Sequence, residues 1–273
     1  RYDVGVNLTF NKNKINQLAP ELGVTNLFPS TPESRIGNLV RIYEGSPLGT
    51  FYGYIQDGIF QTDAEVNAHA SQPSKKVGRF RFRDTNKDGN IDEADKGVIG
   101  DPNPDLVFGI NLGLTYKNID FTMFLQGTAG NDVFNYTKYF THFFGFSGNR
   151  SNKMLYDSWT PNRTNAELPI LDVDDNFSFQ PSTYYIEDGS YIRCKVLQIG
   201  YRFPKSTILD KVGVENFRFY IQAQNLFTIT KYTGIDPTLG ARSGNQGTEQ
   251  WQGIDFGNYP TARTFMAGIN LEF

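Results

Sequence analysis

Apolar and polar residues alternate with period two over several long stretches of this 273-residue chain. Tyr2, Val4, Val6, Leu8 and Phe10 interleave with Asp3, Gly5, Asn7, Thr9 and Asn11. Leu106, Phe108, Ile110, Leu112, Leu114 and Tyr116 interleave in the same way with Val107, Gly109, Asn111, Gly113 and Thr115. The pattern returns at Ile119 to Leu125, at Leu197 to Phe203, at Phe217 to Ala223, and at Phe265 to Phe273. Side chains of a strand point alternately to its two faces, so each stretch predicts a strand with one apolar and one polar side. The expected long strands are 2–10, 105–116, 119–126, 191–203, 216–227 and 263–273, with a weaker seventh at 36–44. Residues 50–60 are expected to be extended, 79–83 to form a strand, and Thr62-Asp63-Ala64-Glu65 to start a short helix over 62–70. Lys117-Asn118 predicts a two-residue turn between antiparallel neighbours.

The expected fold class is therefore all-β. Counting back from the last strand, the connectors sort by side. Residues 228–262, 127–189 and 45–104 fall at one end of the strands, and 204–215, 117–118 and 11–35 at the other. Outer-membrane barrels have long extracellular loops and short periplasmic turns, with strands apolar towards lipid and polar towards the lumen. The pattern predicts part of an antiparallel transmembrane β-barrel with long extracellular loops. The chain begins at Arg1 inside an alternating strand, so it is expected to be the C-terminal segment of a longer β-barrel domain over 1–273.

Composition agrees with a β-rich protein. Aromatic residues make up 15%, with 23 Phe and 15 Tyr, and Gly counts 27. The net charge is −3 with no basic block, so nucleic acid is not an expected partner. No run of about eighteen apolar residues predicts a membrane helix. The single cysteine, Cys194, excludes an internal disulfide framework.

One motif carries sharp chemistry. Within the expected extracellular insertion 45–104 lies DTNKDGNIDEAD, residues 84–95. Asp84, Asn86 and Asp88 occupy positions one, three and five of an EF-hand-like calcium loop, and Gly89 the sixth, where the chain turns sharply. Asn90 would offer its backbone carbonyl, Ile91 would be the apolar pin, Asp92 would act through water, and Asp95 would close the site. The expected cofactor is a structural Ca²⁺. Asp at the last position departs from the usual Glu, and its shorter reach predicts weaker binding. An affinity of roughly 10⁻⁴–10⁻³ M still suffices outside cells.

No phosphate loop, His/Cys metal cluster or nucleophile elbow is present, so no catalytic residue is expected and the chain does not read as an enzyme. Aromatic residues crowd the second long connector, at Phe134, Tyr136, Tyr139, Phe140, Phe143, Phe144 and Phe146, then Trp159, Tyr184 and Tyr185. Trp251 follows in the last connector. Tyr136, Tyr139, Phe143, Trp159, Tyr184, Tyr185 and Trp251 are candidates for stacking on substrate. Packing within the loops and an aromatic girdle are the favoured account of such residues.

The segments GSPLGTFYGYIQDGIF (45–60), the calcium-type loop, residues 100–135, SYIRCKVLQIGYRFP (190–204), residues 217–237 and the terminal strand together resemble the C-terminal portion of SusC/RagA-like TonB-dependent outer-membrane transporters. The resemblance implies a barrel of about 22 strands with a lumenal plug. The plug and the N-terminal barrel strands would lie before Arg1. It also implies import of glycans or peptides across the Gram-negative outer membrane, a SusD-like surface lipoprotein as partner, and energy from the TonB complex through the missing N-terminal part. A secreted calcium-stabilised carbohydrate-binding β-domain remains the alternative, and a glycan-cleaving β-enzyme a third.

Overall fold

A computed structural model describes residues 1–18, 26–27, 34–143, 148–204, 213–239 and 251–273. In chain order the strands are β1 (Tyr2–Phe10), β2 (Asn26–Leu27), β3 (Val40–Tyr43), β4 (Thr50–Gly53), β5 (Gln56–Ile59), β6 (Phe80–Phe82), β7 (Gly97–Gly100), β8 (Leu106–Tyr116), β9 (Ile119–Ala129), β10 (Asp132–Phe134), β11 (Ile186–Asp188), β12 (Tyr191–Phe203), β13 (Asn216–Gln224), β14 (Thr228–Thr230) and β15 (Thr264–Glu272). Short helices α1 (Asp63–Ala68), α2 (Thr137–His142) and α3 (Asn152–Asp157) lie among them.

The long strands form one antiparallel sheet in the order β1-β8-β9-β12-β13-β15, and the short β14 pairs with the start of β12. The registers carry the alternation across the sheet. Tyr2 pairs with Leu114, then Phe121, Ile199, Ile221 and Ala267 lie in the same row. One step along, Asp3, Gly113, Thr122, Gln198, Gln222 and Met266 form a row on the opposite face. A one-residue slip would send every side chain to the wrong face, so the apolar pattern itself fixes these pairings. Lys117 adopts φ 53°, the left-handed conformation that a tight β8–β9 hairpin needs.

The weak strand expected at 36–44 is shorter and belongs elsewhere. β3 pairs with β2 and β4, outside the long sheet, and β1 pairs directly with β8. The seventh strand of the sheet is β14 instead. Residues 11–105 are therefore one connection, and 11–35 moves to the same end as 45–104. The asymmetry becomes cleaner. The connections 11–105, 130–190 and 225–263 all leave from one end, and 117–118 and 204–215 from the other. Phe227, expected inside a strand with 216–226, lies just beyond β13 because Asn225, at φ 51°, turns the chain there.

The core does not lie under the long sheet. Leu39, Val40, Phe51, Phe80, Phe82, Phe134, Tyr136 and Tyr185 are fully buried, and all come from the long connectors. Phe134 and Tyr185 stack with ring centroids 5.0 Å apart. Tyr54, Phe82 and Phe177 pack on one another at 5.3–5.6 Å. These rings make a connector body seated at one end of the sheet. The apolar face of the sheet, by contrast, stays open: Tyr2 is 82% exposed and Phe265 71%. An open apolar face of this extent needs a covering solvent or partner other than water.

Candidate functional site

The calcium-type loop follows β6 without a break. Its geometry is that of a tightly wound Asp/Asn turn. Asp84 Oδ1 accepts from Lys87 N at 2.7 Å and Oδ2 from Gly89 N at 2.9 Å. Asn86 Oδ1 accepts from Asp88 N, and Asp88 Oδ1 from Asn90 N. Gly89 has φ +87°, which the sharp bend at this position requires. Ile91 is buried in the connector core, and the stretch 89–91 is hydrogen-bonded to Ser71 through Gly89 O and Ile91 N. Asp95 closes the loop: it is buried, and its carboxylate accepts from Thr85 N at 2.7 Å and from Asp92 N at 2.9 Å. Asp92 and Asp95 form a reciprocal capping box on the short 3₁₀ turn 93–95.

The six expected ligand residues are thus wound into one loop with the pin residue anchored in the core. Among the described residues no three His, Cys, Asp or Glu side chains converge as a ready metal cluster. The donor set of this motif also draws on an Asn side chain and a backbone carbonyl. All-oxygen donors of this kind suit a hard cation, so the residues fit Ca²⁺ in chemistry.

The aromatic candidates sit differently from a stacking surface. Tyr136, Tyr139, Phe143, Trp159 and Tyr185 are buried, and Tyr184 and Trp251 are half-buried. Tyr136 stacks on Tyr139 at 5.4 Å, Phe143 meets Tyr184 at 5.6 Å, and Tyr136 Oη accepts from Arg35 N at 2.7 Å. Trp159 Nε1 donates to Gln61 Oε1 at 2.8 Å. Their rings fill the connector core, and the polar tips of Tyr136, Trp159 and Tyr185 are satisfied within it, whereas Trp251 Nε1 is buried with no partner among the described residues. A ring packed on its neighbours offers no face to a sugar, so the expected stacking role does not match the position of the five buried residues. Phe144 and Phe146 lie outside the described residues.

Sequence reasoning missed the polar sites around this core. Lys138 on α2 reaches Glu187 on β11 at 2.8 Å and Tyr184 O at 2.8 Å. Burial holds the Lys138 ammonium below its usual range. Burial pushes Glu187 up, but the Lys138 charge and hydrogen bonds from Lys138, Thr233 and Asn135 outweigh it, and its net shift is downward. His142 Nδ1 lies 2.6 Å from Tyr184 Oη, and burial lowers the imidazole to about 4, so it is neutral at physiological pH. A pocket of about 430 Å³ beside this cluster is lined by Gln56, Gln61, Lys138, Asn165, Glu167 and Tyr184. A second polar cluster centres on Arg193, which is 4% exposed and bound to Asp236 at 2.6 Å. No spacing in the sequence joins Arg193 to Asp236, since the two meet only through the β12–β14 pairing.

Comparison with known proteins fits this geometry. No family model matches the chain. TonB-dependent receptor P3 of Formosa agariphila is 36% identical over all of this chain and 27% of its own length. TonB-dependent receptor P26 of the same organism is 32% identical over 97% of this chain and 26% of its own length. TonB-dependent receptor SusC of Bacteroides thetaiotaomicron is 27% identical over all of this chain and 24% of its own length. The structure of the RagAB peptide transporter superposes with a TM-score of 0.75 at 23% identity, over all of this chain and 27% of that one. The chain spans about a quarter of the length of the curated relatives it matches. By its sequence the chain is similar over its whole length to about a quarter of the TonB-dependent receptors it matches, SusC among them, and its fold agrees with that of the RagAB peptide transporter.

Proposed function

We propose that this chain forms part of the barrel wall and the extracellular loops of an outer-membrane importer of glycans or peptides. The observation that carries this reading is the alignment of apolar rows across the open sheet, with the long connectors at one end. Lipid covers such a face without a protein partner, and the polar rows then line a lumen. Phe203 and Phe217 stack at 4.7 Å on the apolar face near the short-connector end, next to Tyr201. Aromatic residues there suit the lipid–water boundary. The connector body would stand outside the cell, where a SusD-like lipoprotein would meet it. The importer would work in the Gram-negative outer membrane and draw energy from the TonB complex through parts of the protein outside this chain. A secreted soluble β-domain would instead have to bury the apolar rows against a second sheet. We read the chain as a transporter part without catalytic residues.

The test is uptake and membrane residence in cells. Deleting the gene segment should abolish growth on the imported nutrient, and the protein should fractionate with the outer membrane. A protein that purifies monomeric from the aqueous fraction without detergent overturns this reading.

The loop 84–95 would hold a structural Ca²⁺ through Asp84, Asn86, Asp88, the Asn90 carbonyl, Asp92 by way of water, and Asp95. The ion would brace the turn that Ile91 pins to the core. Calorimetric titration with CaCl₂ should give one site in the native protein and none after Asp84→Ala with Asp88→Ala. Absence of binding at millimolar calcium in the native protein would remove the ion from this account. Of the aromatic candidates, we retain only the half-buried Tyr184 and Trp251 as residues with surface left for substrate.

A further inference from the structure

We propose that the pocket around Arg193 binds the carboxylate group of a small solute. Arg193 lies on β12 opposite Gln126 of β9 and Thr228 of β14. Gln126 shares its face of β9 with Thr122 and so belongs to the polar side of the sheet, at the end that carries the long connectors. A pocket of about 380 Å³ opens there, lined by Arg193, Asn225, Thr228, Asp236, Thr261 and Arg263 among others. That volume falls within the roughly 300–1,000 Å³ of small-ligand clefts.

The hydrogen bonds within the pocket decide its preference. Arg193 Nε donates to Thr228 Oγ1 at 2.8 Å, and Nη1 donates to Thr261 Oγ1 at 3.1 Å and Thr238 Oγ1 at 3.2 Å. Its Nη2 donates to Asp236 Oδ1 at 2.6 Å. Asp236 also accepts from Thr238 Oγ1 and from the backbone N–H groups of Thr238 and Thr261. The Asp236 carboxylate is therefore consumed by its neighbours. Thr228 and Thr261 are different. Each hydroxyl already accepts from Arg193, and neither gives its own proton to an acceptor among the described residues. A hydroxyl has one proton to donate, so both remain donors. Arg263 completes the wall and makes no ion pair or hydrogen bond among the described residues. The lining holds two arginines, the buried Arg193 and the exposed Arg263, against one aspartate, which leaves it one positive charge in excess.

A cavity with surplus positive charge, and with two hydroxyl donors and a guanidinium that have no acceptor among the described residues, selects an anion. The planar fork of Arg263 matches a carboxylate in particular. A peptide C-terminus and a uronic acid both carry that group. The proposal rests on the importer reading only for the access of solute to this face, because binding is measured without transport.

The experiment uses the full protein in detergent and calorimetric titration. One arm compares trialanine with trialanine amide, and the other compares digalacturonate with its methyl ester. Inorganic phosphate is a control. At least one acid should bind about tenfold more tightly than its neutral counterpart. Arg263→Gln should erase the preference, and Thr261→Val should weaken it, with the melting temperature of each variant checked against the native protein. Whichever acid binds identifies the source of the carboxylate. Equal binding of acid and neutral forms, no saturable binding of either acid, binding of phosphate alone, or a preference that survives Arg263→Gln overturns the assignment. Failure here leaves the importer reading standing, since that reading is judged by uptake and membrane residence.

Discussion

Arg218 on β13 bonds Asp120 on β9 by reaching across β12 directly over Gly200, with Nη2 and Oδ2 2.5 Å apart and Nε and Oδ1 2.8 Å apart. Gly200 pairs with Asp120 on one side and Tyr220 on the other. A Cβ there would lie 2.5 Å from Arg218 Nη2. The missing side chain is what lets the pair tie three strands together on the polar face. Gly200→Ala should therefore displace the guanidinium and mimic loss of the pair. Charge-assisted hydrogen bonds are worth about 1.5–3 kcal/mol, and water at this open face screens part of that. Arg218→Ala and Gly200→Ala should each cost about 1 kcal/mol, and the double variant little more, as read by urea unfolding in detergent. Additive losses would show that Gly200 acts separately.

The two faces of the sheet should respond differently to charge. Ile221 lies in the apolar row, and Gln222 in the polar row beside it. An Arg on the lipid face near the bilayer midplane costs about 2–4 kcal/mol. Ile221→Arg should lower folding yield into outer-membrane vesicles by that measure, and Gln222→Arg should leave it nearly unchanged. Equal effects would contradict a lipid-facing apolar row.

The connector body should be breakable on its own. Tyr185 is fully buried, stacks on Phe134, and donates from Oη to Phe179 O at 2.8 Å. Removing a large buried ring costs about 3–5 kcal/mol. Tyr185→Ala should open residues 130–190 to limited proteolysis while strands β12 and β13 stay protected. Tyr185→Phe removes one hydrogen bond, about 1 kcal/mol, and should leave the body closed.

The same body should lose stability in acid through Asp172. Hydrogen bonding from the buried Arg79, at 2.8 Å, leads the effects that hold this carboxyl at about 2. A free aspartate titrates near 3.9. A depressed pKa gives stability that is fully present above the unfolded value and is lost as pH falls through the folded one. The loss should fall between about pH 4 and pH 2. Asp172→Asn should weaken the body at pH 7 and flatten that acid limb in a thermal-melting series.

Gly89 offers a clean test of the loop turn. Nothing lies within 4 Å of a Cβ built there, so Gly89→Ala meets only the backbone penalty of φ +87°. The cost should be about 1 kcal/mol in the absence of calcium. Gly89→Asn should cost less, because Asn tolerates left-handed backbone.

The alternation alone was enough to place the long strands. Period-two patterning determines faces directly, and it located β1, β8, β9, β12, β13 and β15 to within a few residues. Thr62 and Glu65 marked the start of α1 for a similarly local reason: Thr62 Oγ1 accepts from Glu65 N, and Gln61 N donates back to the Glu65 carboxylate. The sharp turn within 84–95 was legible because it is built from residues close in sequence. The strand expected at 36–44 was misplaced because alternation tells faces but not partners. Only the tertiary structure showed β1 pairing with β8 across 95 intervening residues, 11–105. It also decided that the connector aromatics bury one another, because a ring's exposure depends on neighbours far along the chain. The Arg193 pocket needed it most of all: Arg193, Asp236 and Thr261 come from separate segments, and their chemistry exists only where the fold brings them together.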